Sequence, residues 1–177
     1  MKKIKINKKK GILFWITGLS GSGKTTFGKA IHKDIQKLYG PTLMISGDNI
    51  RKVFYLKGHT KEDRLKILKS YCRFAKFITN QNINLIFAVV GMFNEPRKWN
   101  RKNISNYIEI YIKSNLKEII KLKKKRIYHK KNIQDIVGVD IKPEFPKKPN
   151  ITIINSFDIP KTKIAVQIIK RIKENIV

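Results

Sequence analysis

Gly18-Leu19-Ser20-Gly21-Ser22-Gly23-Lys24-Thr25-Thr26 fits the phosphate-binding pattern G-x-x-x-x-G-K-[ST] at every specified position. Just before it, Ile12-Leu13-Phe14-Trp15-Ile16-Thr17 is an apolar run of strand length. Just after it, the segment Phe27 to Ile35 carries apolar residues at helical spacing. Strand, glycine loop and helix thus follow in the order that a nucleoside triphosphate site requires. Gly18, Gly21 and Gly23 let the backbone turn tightly and aim N–H groups inward, and the helix starting near Lys24 adds its positive dipole end. Lys24 is expected to reach the bridging and terminal phosphate oxygens, and the Thr25 hydroxyl to ligate magnesium. Ser20, Ser22 and Thr26 complete the expected nucleotide contacts. ATP and Mg2+ are therefore the expected cofactors.

The rest of the chain alternates strand-like and helix-like segments. Strands are expected at Thr42–Ser46, Asn84–Val90, Asn106–Ile112 and Ile151–Asn155. Helices are expected at Lys61–Asn80, with Leu65, Leu68, Cys72, Ala75 and Ile78 or Phe77 buried, at Asn115 to about Lys124 capped by Ser114 or Asn115, and at Lys161–Asn175. This pattern predicts an α/β fold, a P-loop NTPase-type parallel sheet of about five strands with helices on both faces and a mobile lid loop. Ligands of such sheets gather beyond the carboxyl ends of the strands. Gly18–Thr25, Asp48, Gly91–Asn94 and the Pro-containing loop Ile127–Pro149 all fall on that edge.

The 177 residues suit a single domain spanning 1–177, and no Pro/Gly/Ser-rich stretch divides them. The lone Cys72 excludes an internal disulfide and reads as a core thiol in a reducing compartment. Met1–Trp15 superficially resembles a signal peptide, but its apolar part is short, and cleavage beyond it would destroy the glycine loop. No apolar run approaches the roughly 18 residues of a membrane span, so a cytoplasmic protein is expected. Forty Lys and Arg against twelve Asp and Glu give a formal charge of +28, which raises nucleic acid as a partner. The basic residues are spread along the whole chain, however, which argues against nucleic-acid binding. Two clusters stand apart: a basic leader, residues 1–10, expected to be disordered, and Lys121–Arg126. The latter precedes the lid and reads either as charge facing the transferring phosphoryl group or as a solvated helix end.

The acceptor side decides among ATPases, GTPases and small-molecule kinases. Asp48 follows a buried strand, where a carboxylate can act near the magnesium ion and accept a proton from a hydroxyl nucleophile, or simply cap the helix after it. Arg51 and Arg64 follow on helical segments facing the same edge, and Arg grips phosphate oxygens bidentately. No guanine-reading N-K-x-D motif is present. These residues favour a small-molecule kinase. A basic P-loop ATPase acting on nucleic acid and a kinase with a sugar-like acceptor are the rivals.

GLSGSGKTT, then SGDNIR at Ser46–Arg51, EDR at Glu62–Arg64 and VGVD at Val137–Asp140 occur in an order and spacing that resembles the adenylylsulfate kinase family, over about residues 10 to 175. The resemblance implies transfer of the γ-phosphoryl group of ATP to the ribose 3′-hydroxyl of a nucleotide. It implies that Asp48 orients or deprotonates that hydroxyl, that Arg51 and Arg64 hold the acceptor's 5′ end, that a lid spans about 123–149 with Lys130 as an acceptor contact, and that the chain forms a homodimer. The chain departs from the family at Ser46, which replaces the first Asp of DGDNIR, and at Gly91, which replaces a phosphorylatable Ser. Direct transfer without a phosphoserine is implied. His59 and Ile136, beside Val137, replace the two aromatics that sandwich the acceptor base, whose stacking is worth about 1–3 kcal/mol per base. The stretch from Gly91 through Phe93 and Asn94 replaces the groups that meet the sulfate end. These departures argue against a purine acceptor; within the family the chain looks most like the cytidine diphosphoramidate kinase branch, which serves capsular polysaccharide modification and whose smaller pyrimidine and altered 5′ group would suit both departures. Adenylyl sulfate is the alternative acceptor.

Overall fold

The computed structural model describes residues 3–122 and 135–177. Lys123–Arg126, Lys130 and the first part of the expected lid lie outside the described residues. Five strands form one parallel sheet: β1 (Leu13–Thr17), β2 (Thr42–Ser46), β3 (Asn84–Val89), β4 (Tyr107–Lys113) and β5 (Ile151–Ile154), in the order β2-β3-β1-β4-β5. β1 lies at the centre, with Leu13 opposite Leu85 on one side and Tyr107 on the other. Every residue of β1 is buried, as expected of a central parallel strand with both faces covered.

Side-chain alternation along β1 divides the core. Phe14 and Ile16 face α1 (Lys24–Tyr39) and α6 (Lys161–Asn175), packing with Phe27, Ile31, Ile35, Ile164, Ile168 and Ile172. Leu13 and Trp15 face the opposite layer, where Ile67, Leu68, Tyr71, Cys72 and Ala75 of α3 (Lys61–Asn80) cover Leu85 and Phe87. The expected inward row on α3 holds at Leu68, Cys72 and Ala75, while Leu65 and Ile78 are half-buried and Phe77 points to solvent. Burial pushes the Cys72 thiol up to about 12, so it remains a neutral core group.

The helix ends follow their local chemistry. Thr60 caps α3, its hydroxyl oxygen accepting from the Asp63 N–H at 3.2 Å while its O–H donates to the Asp63 carboxylate at 2.8 Å. Ser46 accepts from the Asn49 N–H and so caps α2 (Gly47–Val53), which places Asp48 in the first turn of that helix rather than at its cap. Asn115 caps α5 (Leu116–Lys121).

One expectation needs correction, and one element went unforeseen. Within residues 3–10 the basic leader is tied down: the Ile4 N–H donates to the Asn175 carbonyl at 2.7 Å, and the Asn106 carboxamide donates to the carbonyls of Asn7 and Lys10. Ile4 and Ile6 pack onto the α1/α6 layer, so apolar residues interleaved with the lysines anchor a segment whose charge suggested disorder. The unforeseen element is α4 (Asn94–Asn103), which lacks the apolar period of an amphipathic helix because its buried residues are Pro96, Arg97 and Asn100. Arg97 Nε lies 3.2 Å from the Glu109 carboxylate of β4, and Arg101 approaches the same carboxylate from outside. Arg97 also donates to the Gly91 carbonyl, the Asn94 side chain and the Glu144 carbonyl. The Glu144 carboxylate in turn accepts from the Asn94 N–H. The second half of the Pro-containing loop is therefore fastened to the sheet, with Val137 and Ile141 in the core.

Glu109→Ala leaves the buried Arg97 guanidinium without its carboxylate and should lower folding stability by about 3–5 kcal/mol, read from the denaturant midpoint. Glu95→Ala, which removes the exposed Lys69–Glu95 pair, should cost less than about 1 kcal/mol in the same assay.

Candidate active site

The glycine loop joins the carboxyl end of β1 to α1, and close packing dictates its glycines. A Cβ on Gly18 would sit 2.6 Å from the Ile112 carbonyl oxygen, and one on Gly23 2.7 Å from the Phe27 ring. Gly23, at φ 95°, is the residue from which α1 starts. Lys24 is buried, its ammonium donating to the Leu19 carbonyl at 2.6 Å. Thr25 is half-buried and Thr26 exposed.

A cavity of about 860 Å3 opens over this loop, within the size range of ligand pockets. Ser20, Gly21, Gly23, Lys24, Thr25 and Thr26 form its floor, Ser46–Asn49 with Ala88 and Val90 one wall, and Asn155 with Phe157–Thr162 the other. A smaller cavity, about 60 Å3, is lined by Arg51, Arg64, Ile67, Leu68, Tyr71 and Val89. Both cavities share Gly47, Asp48 and Val90. The exposed Asp48 side chain thus stands where they meet.

The α2/α3 wall is braced by side chains. Tyr71 donates from its hydroxyl to the Gly47 carbonyl at 3.1 Å, and burial pushes that phenol up to about 12, keeping it a neutral donor. Arg51 donates to the carbonyls of Leu56 and Gly58. Arg64 donates to the carbonyls of His59 and Asp135, each at 2.8 Å, which ties the loop before α3 to the described part of the expected lid. His59 itself is exposed, and partial burial together with the guanidiniums of Arg51 and Arg64 lowers its pKa, favouring the neutral ring at pH 7.

The sequence-derived candidates therefore divide. Lys24, Thr25, Asp48, Arg51 and Arg64 converge on the paired cavities. Ser22 and Gly18 shape the loop from beneath. Phe93, Ile136 and Val137 are buried, and Asn94 is held by Glu144 and Arg97. None of these four lines either cavity. Tyr71, Asn155 and the segment 157–162 belong to the site but were missed. The ligand-gathering edge includes the end of β5, so Phe157-Asp158-Ile159-Pro160 was legible as a candidate by the rule already applied to the other strands.

The glycine cradle, Lys24 and Thr25 line one cavity, and their chemistry fits a triphosphate with its magnesium ion, which keeps most of its ligands from phosphate and water.

The sequence model of the adenylylsulphate kinase family matches residues 10–154. The chain belongs to the adenylylsulphate kinase family. It is 36% identical over 147 residues to the cytidine diphosphoramidate kinase of Campylobacter jejuni, covering 81% of this chain and 85% of that one. It is 31% identical over 176 residues to the adenylyl-sulfate kinase of Clostridium acetobutylicum, covering 97% and 88%. The APS kinase of Mycobacterium tuberculosis, solved in complex with AMPPNP and APS, shares the fold with a TM-score of 0.82 at 22% identity, over 93% of this chain and 98% of that one. As a member of this kinase family the protein is a phosphotransferase with a hydroxyl acceptor, and ATP is its phosphoryl donor.

Lys24→Met removes the one lysine of the cradle. It should lower turnover, measured as ADP release at saturating acceptor, by about 10²–10³-fold with the melting temperature unchanged.

Proposed function

We propose that this kinase transfers the γ-phosphoryl group of ATP to the ribose 3′-hydroxyl of a nucleotide, and that cytidine diphosphoramidate is the favoured acceptor. The observation that carries the reading is the meeting of the two cavities at Asp48. The glycine loop and Lys24 hold the triphosphate in the larger cavity, and the Thr25 hydroxyl meets its magnesium ion, which neutralises charge on the phosphates when bound. The acceptor enters from the side of Arg51 and Arg64, whose guanidiniums balance its 5′ phosphate charge. Asp48 orients the 3′-hydroxyl and accepts its proton as the new O–P bond forms and the bond from the γ-phosphorus to the β,γ-bridging oxygen breaks.

Gly91 supports direct transfer. It bears no hydroxyl, and a Cβ there would come within 3.1 Å of the Trp15 indole nitrogen, so a serine at this point would crowd the core. The acceptor assignment rests on the similarity to the Campylobacter jejuni enzyme and on an acceptor side without an aromatic pair at positions 59 and 136. Adenylyl sulfate is the second reading, favoured by a relative matched along almost the whole chain. Lys130, Ile136 and Val137 are proposed to contribute when acceptor is bound. Among the described residues no helix is long and apolar enough to cross a membrane, which accords with the cytoplasmic location we propose. The homodimer is part of the same proposal, and light scattering tests it.

A coupled ADP-release screen should give cytidine diphosphoramidate a larger kcat/KM than adenylyl sulfate. The reverse order would assign the second reading. Asp48→Asn should bind ATP as wild type does yet lose about 10²–10⁴-fold in turnover, and near-normal turnover would remove Asp48 from the proton transfer.

A further inference from the structure

Asn155, just past the end of β5, is 5% exposed and has both ends of its carboxamide engaged. Its Nδ2 donates to the Ser22 carbonyl at 3.0 Å, and its Oδ1 accepts from the Phe157 N–H at 3.2 Å. Its own N–H donates to the Lys113 carbonyl, extending the β4–β5 ladder to this residue. We propose that Asn155 is a positioning residue for the donor nucleotide: it aims the glycine loop at the phosphates and fixes the opposite wall of the same pocket. The proposal rests on the assignment of the larger cavity to ATP.

In a trans peptide the C=O and the following N–H point in opposite directions across a rigid plane. Fastening the Ser22 carbonyl to Asn155 therefore turns the Gly23 N–H the other way, and Gly23 lines the cavity. The Ser22 N–H is held as well, donating to the Leu19 carbonyl at 3.1 Å. Ser22 stands between Gly21 at φ 82° and Gly23 at φ 95°, two residues with wide backbone freedom, so this peptide needs an external partner to keep one orientation. At its other end Asn155 secures Phe157, whose φ of 69° is costly for a residue with a side chain and persists where neighbours hold it. One buried carboxamide thus ties the loop that receives phosphate to the segment across the cavity, where Phe157 and Pro160 offer apolar surface suited to a nucleoside.

The test measures binding of AMPPNP and of inorganic tripolyphosphate by calorimetry, with KM values for ATP and for the acceptor. In Asn155→Ala both ligands should bind about tenfold more weakly and the KM for ATP should rise to match, while the acceptor KM stays within about twofold. Tripolyphosphate isolates the loop, because it has no base to touch Phe157. Dissociation constants within about twofold of wild type would overturn the proposal, and so would an acceptor KM that rises as much as that of ATP, the mark of general loosening. If Asn155→Ala does not fold, Asn155→Ser, whose hydroxyl satisfies one of the two partners, is held to the same criteria. A wild-type protein that binds neither ligand would overturn the donor assignment itself, and this proposal with it.

Discussion

The hydrogen bonding of β1 along both of its edges is the constraint from which the site follows. Because β3 and β4 run parallel to it in fixed register, the carboxyl ends of all three strands open on one edge of the sheet. β2, bonded to β3, brings Ser46 and Asp48 to that edge, and β5, bonded to β4, brings Asn155. A one-residue slip of β1 would exchange its two faces, sending Trp15 toward α1 and Phe14 toward α3. Two differently shaped apolar layers make that slip costly. The glycine loop is therefore placed by the core before any ligand contributes.

Much of this was legible in the sequence because the relevant signals are local. An apolar run followed by a glycine loop and an amphipathic helix has few other readings, and β2, α3 and α6 have the expected limits because turn residues or caps bound them. α4 escaped because its inward face is polar: Arg97 is buried opposite Glu109, a partner twelve residues away on a different element. The anchoring of residues 3–10 escaped for a similar reason, since Asn106 supplies the bonds from nearly a hundred residues along the chain. Asn155 carries no local signature at all. An Asn after a strand reads as an ordinary turn residue until the loop beneath it is known.

The same contrast separates the two sides of the site. Donor chemistry uses backbone N–H groups and one lysine, so it is written in a contiguous motif. The proposed acceptor side draws on α2, α3 and the segment beyond residue 134, joined through Arg51 and Arg64 to backbone carbonyls that any residue type could supply. A pattern of residue types therefore carries the reaction further than it carries the acceptor. The high positive charge adds little to the choice, because it is spread over the outer faces of the helices as well as the ligand edge.

The central claim is that Asp48 steers an acceptor hydroxyl from the smaller cavity toward a triphosphate in the larger one. A crystal structure with AMPPNP and an acceptor nucleotide bound together tests it most directly. The account predicts the ribose 3′-oxygen within about 2.6–3.2 Å of the Asp48 carboxylate and facing the γ-phosphorus. An acceptor bound away from Arg51, Arg64 and Tyr71, or a 3′-oxygen turned from the donor with Asp48 in bulk water, would contradict it.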